Sequence, residues 1–393
     1  MFERPIVGQL VARLEEPRKL IQALTGPRQT GKTTAIKQVL GHLAVPYRLA
    51  TADQVPSPSE TWLEAEWMQA RSLASQSSPA VLVVDEVQKV PQWAGIVKRL
   101  WNEDTLNDIP LQVVLIGSAT FLFQKGLNET LAGQFELTRS THWTLQEMHD
   151  AFGYTLDDYL MFGGYPGTAE LHENPDDWLS YMRDSVIDST ISKDLLQMED
   201  IRKPALMQKL FYLGAQCSAQ EVSYRKLLGQ LDDKGNTDII ASYLSLLNSV
   251  GLLQALQKYT QALKAARRSS PRLIVMDTSL MVAAMDAGPA SIENDPTARG
   301  RLVETAVGAY LLRRARDERF EVYRWRDGAA DVDFVIRQDG AVTAIEVESG
   351  RAKSKKGLPA FVERFPGARP LVVGDAETPL ESFLTDEVPL FYA

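Results

Sequence analysis

Residues 26–33 have the types and spacing of a phosphate-binding loop. Two glycines enclose four residues and are followed by lysine and threonine, which fits the pattern G-x-x-x-x-G-K-[ST]. Glycines let backbone N–H groups approach a phosphate, the lysine supplies positive charge, and the threonine hydroxyl can ligate Mg²⁺. The sequence therefore predicts a site for ATP and Mg²⁺ formed by Gly26, Pro27, Arg28, Gln29, Thr30, Gly31, Lys32, Thr33 and Thr34.

Two acids, Asp85 and Glu86, directly follow the apolar segment 81–84. An apolar run of this kind predicts a strand that is buried on both faces, and acids at the carboxyl end of a parallel strand face the ligand crevice. We expect Asp85 to hold Mg²⁺ and Glu86 to polarise the attacking water. Many strands end in a solvated acid, so this interpretation depends on the loop that precedes it.

A third candidate, Ser118, follows the next apolar segment, 113–116. A polar side chain after that strand could contact the γ-phosphate or the attacking water. The alternative is an ordinary turn that leaves the strand.

The elements around these residues alternate between strand and helix, which predicts a parallel α/β sheet over residues 1–150. Residues 151–286 have mostly helical patterns and end in the outline of a winged helix, with a basic turn that could contact DNA phosphates through Lys264, Arg267 and Arg268. Residues 287–296 have the composition of a linker. The last part, 297–393, again predicts α/β structure.

The composition is that of an ordinary globular protein, and the formal net charge is −9. Such a charge excludes nucleic-acid binding by a basic field of the whole chain, so any DNA contact needs a local patch. Cys217 is the single cysteine, so a disulfide framework within the chain is excluded. With no secretory signal pattern at the N-terminus and no long apolar stretch, we expect a cytoplasmic protein with no membrane partner.

These segments together resemble a family of bacterial and archaeal AAA-type P-loop ATPases that carry an uncharacterised nuclease-like domain at the C-terminus. The resemblance also includes residues 85–88, 131–133, 163–166 and 277–278, and so extends over nearly the whole chain. It implies an AAA-type parallel sheet, then a helical and winged-helix region, then a restriction-endonuclease-like α/β domain. The family usually has arginine after Leu-x-Gly, but this chain has Gln134, so the role of that arginine is lost or belongs to a neighbour such as Arg139.

Three C-terminal acids, Glu304, Asp333 and Glu346, follow one another in an order that resembles the PD-(D/E)XK nuclease core. Such a site needs a lysine two residues after the last acid to stabilise developing negative charge. Glu348 occupies that position, which predicts an inactive site whose acids are solvated or paired with arginines. A basic run with Lys353, Lys355 and Lys356 could contact phosphates or simply be solvated.

We therefore expect an ATPase whose turnover moves the parts of the chain against one another and could serve to remodel or translocate on DNA. Two alternatives stay open, a STAND-like ATP-controlled switch that recruits a protein partner and an ATP-regulated DNA nuclease. A homo-oligomer is compatible with this interpretation.

Overall fold

The computed structural model describes residues 2–74, 78–117, 120–195, 201, 203–231, 236–260, 269–348, 356–374 and 376–392. The described residues form two compact units, the first made of residues 2–141 and the second beginning at residue 142. Among the described residues, no helix is both long enough and apolar enough to span a membrane.

The first unit alternates strands with helices, as the sequence predicts. Its strands are β1 Ile21–Thr25, β2 Tyr47–Thr51, β3 Ala80–Asp85, β4 Leu111–Gly117 and β5 Phe135–Arg139. Its helices are α1 Pro5–Glu15, α2 Lys32–His42, α3 Glu60–Leu73, α4 Trp93–Leu106 and α5 Thr120–Thr130, with short 3₁₀ turns at Ala52–Gln54 and Val87–Lys89.

In the part of the chain that the structure describes, these strands form a parallel sheet in the order β2-β3-β4-β1-β5. Successive side chains of a strand face opposite sides, so β3 places Leu82 and Val84 in one apolar cluster and Val81 and Val83 in another. The first cluster packs against α3 and α4 and the second against α1 and α2. Both faces are covered, which explains the continuous apolar runs.

The second unit has helices along most of its length. They are α6 Leu145–Phe152, α7 Leu156–Phe162, α8 Pro175–Ser180, α9 Pro204–Gln216, α10 Tyr224–Gln230, α11 Thr237–Ser249, α12 Thr278–Ala284, α13 Pro289–Glu293, α14 Pro296–Glu318, α15 Gly357–Arg364 and α16 Leu380–Leu384, with a 3₁₀ turn at Pro166–Leu171 and π-helical turns at Tyr181–Asp188 and Thr190–Leu195. The segment 287–296, expected to be a linker, thus contains helix α13, in which Pro289 and Ile292 are buried.

The described strands of the second unit form two sheets. An antiparallel sheet has the order β6-β8-β7, with β6 Gln220–Glu221, β7 Leu253–Leu256 and β8 Arg272–Val275. A mixed sheet has the order β12-β11-β10-β9, with β9 Glu321–Asp327, β10 Ala330–Gln338, β11 Ala341–Val347 and β12 Arg369–Val373. The basic turn with Lys264, Arg267 and Arg268 lies outside the described residues, so the winged helix stays a prediction.

A buried cluster of charged side chains joins these two sheets. Arg272 on β8 donates to the Asp333 carboxylate on β10 at 2.9 Å and lies 3.3 Å from a carboxylate oxygen of Asp331. Burial opposes the positive charge of Arg272, but the carboxylates of Asp333 and Asp331 outweigh it and raise the pKa of the guanidinium. Glu221 on β6 pairs with Arg324 on β9 at 3.0 Å. The charges of one sheet therefore neutralise those of the other inside the protein.

Replacing Arg272 should strongly destabilise the second unit. Arg272→Met leaves the Asp333 carboxylate buried without its cation, which typically costs about 3–5 kcal/mol of unfolding free energy. Arg337→Met is the matched control. Arg337 lies on β10, like Asp333, and pairs with Glu321 at the protein surface, where an ion pair contributes roughly 0–1 kcal/mol. The measurement is the urea dependence of hydrogen exchange in peptides from β10. Equal effects of the two changes would contradict the prediction.

Candidate functional site

The loop between β1 and α2 occupies the carboxyl edge of the parallel sheet. Its backbone turns through positive φ at Gln29 (61°) and Gly31 (84°), and Gly31 is the residue that precedes the first turn of α2. The left-handed conformation at Gly31 favours glycine because a side chain would be strained there. The first N–H groups of a helix have no intrahelical partner. At the N-terminus of α2 these groups and the positive end of the helix therefore lie beside the loop, where they could bind an anion.

The loop is braced against the end of β5. A Cβ atom on Gly26 would lie 1.9 Å from the Ser140 carbonyl oxygen, so only glycine fits at this contact. The buried Thr30 hydroxyl is 3.1 Å from both the Pro27 carbonyl oxygen and the Ser140 hydroxyl. These contacts fix the loop backbone against Ser140, the residue that follows β5.

Arg4, which directly precedes α1, supplies a second brace. Its guanidinium is buried and donates to the Ser140 hydroxyl at 3.0 Å, to the Thr141 carbonyl at 3.2 Å and to the Thr30 carbonyl at 3.4 Å. Sequence reasoning missed both Arg4 and Ser140, because nothing in their local pattern indicates that they meet the loop.

Lys32 is buried within the loop that it follows. Its ammonium group donates to the Pro27 carbonyl at 2.6 Å and to the Gly26 carbonyl at 3.0 Å. The remaining predicted loop residues surround it: Pro27 is buried, Arg28 and Gln29 are half-buried, and Thr33 and Thr34 are exposed on the first turn of α2. A positive charge and a set of backbone amides therefore share one small region.

Asp85 lies at the end of β3 and contacts the first turn of α2. The Thr33 hydroxyl donates to one Asp85 carboxylate oxygen at 3.2 Å, and the Glu86 amide donates to the other at 3.0 Å. Burial raises the pKa of Asp85, the charge of Glu86 raises it further, and the Thr33 hydrogen bond and Lys32 oppose both. A hydroxyl and a carboxylate are hard oxygen ligands, so this pair suits Mg²⁺.

Glu86, next to Asp85, combines an uncommon backbone conformation with burial. Its φ of 54° lies in the left-handed region, and its side chain is buried. One carboxylate oxygen accepts a hydrogen bond from the Gln88 side-chain amide at 2.6 Å. An uncommon backbone conformation at a carboxylate beside a phosphate loop is typical of functional sites.

The other candidates of the first unit have different positions. Ser118 lies outside the described residues. Gln134 accepts from the backbone amide of Ile21 at the start of β1, so it lies at the edge of the sheet opposite the loop, and its side chain donates to Asn102. Arg139 pairs in register with Thr25, one residue before the loop. Gln134, where the family usually has arginine, thus lies far from the phosphate-binding loop of its own chain, whereas Arg139 lies close to that loop.

The C-terminal acids have protein partners. Asp333 pairs with Arg272 and also accepts from the Val347 amide at 2.9 Å, and Glu346 accepts from the Leu358 amide at 3.2 Å. Glu304 is buried in α14. Among the described residues, no group of three or more His, Cys, Asp or Glu side chains is arranged to hold a metal ion. Lys353 and Lys355 lie outside the described residues, and Lys356 is exposed before α15.

Comparison with protein families divides the chain into three parts. Residues 18–149 match the model of an AAA domain, residues 153–291 match a domain of unknown function, and residues 299–386 match a different domain of unknown function. The first match confirms the expected AAA-type P-loop domain with its parallel sheet. The nuclease-like character of the C-terminal part stays a prediction.

Known relatives and structures add limited information. An uncharacterized protein of Mycobacterium tuberculosis and one of Mycobacterium bovis are each 25% identical over 259 residues, which is 66% of this chain and 54% of theirs. The chain thus spans about half the length of the curated relatives it matches. A Walker-type ATPase of Pyrococcus abyssi aligns with 72% of this chain and 96% of its own, at 12% identity and a TM-score of 0.49.

Neutralising Asp85 should change stability with a defined pH dependence. Because the folded state raises the pKa of this acid, folded Asp85 binds a proton more readily than unfolded Asp85, and unfolding becomes easier as pH rises through the folded pKa. Asp85→Asn removes the buried charge, while the amide oxygen can accept from the Glu86 amide and the amide nitrogen can donate to the Thr33 hydroxyl. We expect a higher melting temperature than wild type at pH 7 to 8 without nucleotide, and a difference that shrinks towards pH 4.

Thermal unfolding at a series of pH values measures this effect. Asp53→Asn is the control, since Asp53 is an exposed acid whose pair with Lys89 also lies at the surface, where such a pair contributes roughly 0–1 kcal/mol. A variant that is less stable than wild type at neutral pH would contradict the prediction.

Proposed function

We propose that this protein binds ATP with Mg²⁺ at loop 26–34 and hydrolyses it. The observation that carries the proposal is the 3.2 Å contact between the Thr33 hydroxyl, on the first turn of α2, and Asp85, which ends β3. It brings the two expected metal ligands together beside Lys32 and Glu86. Few other reactions use a glycine-rich loop, a buried lysine, a hydroxyl and two carboxylates in this arrangement.

Each residue has a role that follows from its chemistry. Loop amides and Lys32 would bind the β- and γ-phosphates, and the ammonium would exchange its carbonyl contacts for phosphate oxygens. Thr33 and Asp85 would hold Mg²⁺, which when bound neutralises charge on the phosphates. Glu86 would accept the proton of the attacking water, a contribution that is typically worth about 10²–10⁴ in rate.

The wider activity is a second part of the proposal. Turnover would move the C-terminal part of the chain, either to remodel or translocate on DNA or to recruit a protein partner as a switch. ATPase assays with and without duplex, single-stranded and branched DNA distinguish the two activities. Turnover that DNA stimulates supports remodelling or translocation, and turnover that DNA leaves unchanged supports the switch. Metal-dependent cleavage that is lost in Asp333→Ala would instead support a nuclease.

Removing the Lys32 ammonium should weaken ATP binding about 10–100-fold or more, because hydrogen bonds to charged groups contribute roughly 1.5–3 kcal/mol. Calorimetric titration of Lys32→Ala with Mg-ATP measures this. The matched control is Lys37→Ala, which changes an exposed lysine of the same helix. Affinity that is unchanged in Lys32→Ala would remove the loop from the proposal.

Glu86→Gln should bind Mg-ATP within about threefold of wild type, whereas kcat falls by about 10²–10⁴ because the amide cannot accept the proton. Steady-state phosphate release and calorimetry on the same sample separate the two effects. Glu15→Gln, an exposed acid on α1, serves as the control. Turnover at the wild-type rate in Glu86→Gln would exclude Glu86 as the base.

A further inference from the structure

The 3₁₀ turn Val87–Lys89 is fixed in the core directly after Glu86. The side chains of Val87 and Val90 are fully buried in the apolar cluster beneath α4. The Lys89 amide donates to the Glu86 carbonyl and the Val90 amide to the Val87 carbonyl, each at 3.0 Å. Gln88 therefore projects from a backbone that is held on both sides.

The Gln88 amide bridges two parts of the site. Its nitrogen donates to a Glu86 carboxylate oxygen at 2.6 Å. Its oxygen is buried, has no hydrogen-bond partner among the described residues, and lies against Gly117 at the end of β4, where a Cβ atom would be 3.0 Å away. The same Cβ would lie 2.7 Å from the Phe123 ring. The absence of a side chain at Gly117 therefore makes room for the Gln88 side-chain amide.

This arrangement limits the movement of the Glu86 carboxylate. A short hydrogen bond to an ionised acceptor is among the stronger hydrogen bonds in proteins. The donor cannot follow the carboxylate into solvent, because the amide is packed between the turn and the end of β4. A base held in one orientation avoids the cost of reorganisation during the reaction.

We propose that Gln88 is a positioning residue that orients Glu86 for proton abstraction from the attacking water. The proposal rests on the proposed ATPase function and deepens it. Gln88 acts through Glu86, to which its side-chain amide donates. Its loss should therefore reduce the chemical step and leave nucleotide binding unchanged.

The experiment compares Gln88→Met and Gln88→Glu with wild type. Gln88→Met keeps the length of the side chain and removes the donor, so we expect kcat to fall about tenfold, with KM and ATP affinity within about twofold. Gln88→Glu places a second carboxylate against Glu86. An ionised carboxylate cannot donate to Glu86, so we expect kcat to fall at least as far as in Gln88→Met.

A double variant separates positioning from a general structural effect. In the Glu86→Gln background, Gln88→Met should cause no further loss of kcat, because the carboxylate that it positions is gone. Gln69→Met, the same substitution at an exposed position of α3, is the control for the change itself. Melting temperatures and ATP affinities verify that each variant is folded.

Three results would overturn the proposal. Gln88→Met could turn over at the wild-type rate, it could lower kcat by the same factor with and without Glu86, or Gln88→Glu could keep the wild-type rate. In each case Lys32-dependent turnover of the wild type would remain, and only the role of Gln88 would fail. Absence of Lys32-dependent turnover in the wild type would instead refute the proposed ATPase itself, and the role of Gln88 with it.

Discussion

The site depends on the parallel register of β1, β4 and β3. Thr25 pairs with Gly117 on β4, and Ile116 pairs with Asp85 on β3, so the three strands end at one edge of the sheet. Only because these ends coincide can the Thr33 hydroxyl contact Asp85 across the intervening strand. A shift of one residue would turn every side chain of a strand to the opposite face. The two apolar clusters on the faces of the sheet thus fix the geometry at its edge.

Local patterns were sufficient for much of the first unit. The glycine and lysine spacing of the loop and the apolar runs before Asp85 and Gly117 predict strand, turn and acid positions without any knowledge of tertiary contacts. The strand expected over residues 81–84 is observed as Ala80–Asp85, and the apolar segment 113–116 lies within the strand Leu111–Gly117. Periodicity predicts such elements well and their ends less well.

Contacts between distant residues could not be predicted in the same way. Arg4 meets Ser140 across 136 positions, and Arg272 meets Asp333 across 61. In the sequence each is an ordinary charged or polar residue. The position of Gln134 shows the same limit, because only the pairing of β5 with β1 reveals that it lies at the far edge of the sheet.

The buried charges that join β8 to β10 and β6 to β9 have a mechanical consequence. A shift of one sheet against the other would leave Arg272 or Arg324 buried without its acid, and an unpaired buried charge costs free energy. We therefore expect β8 and β10 to move together in any conformational change of the second unit.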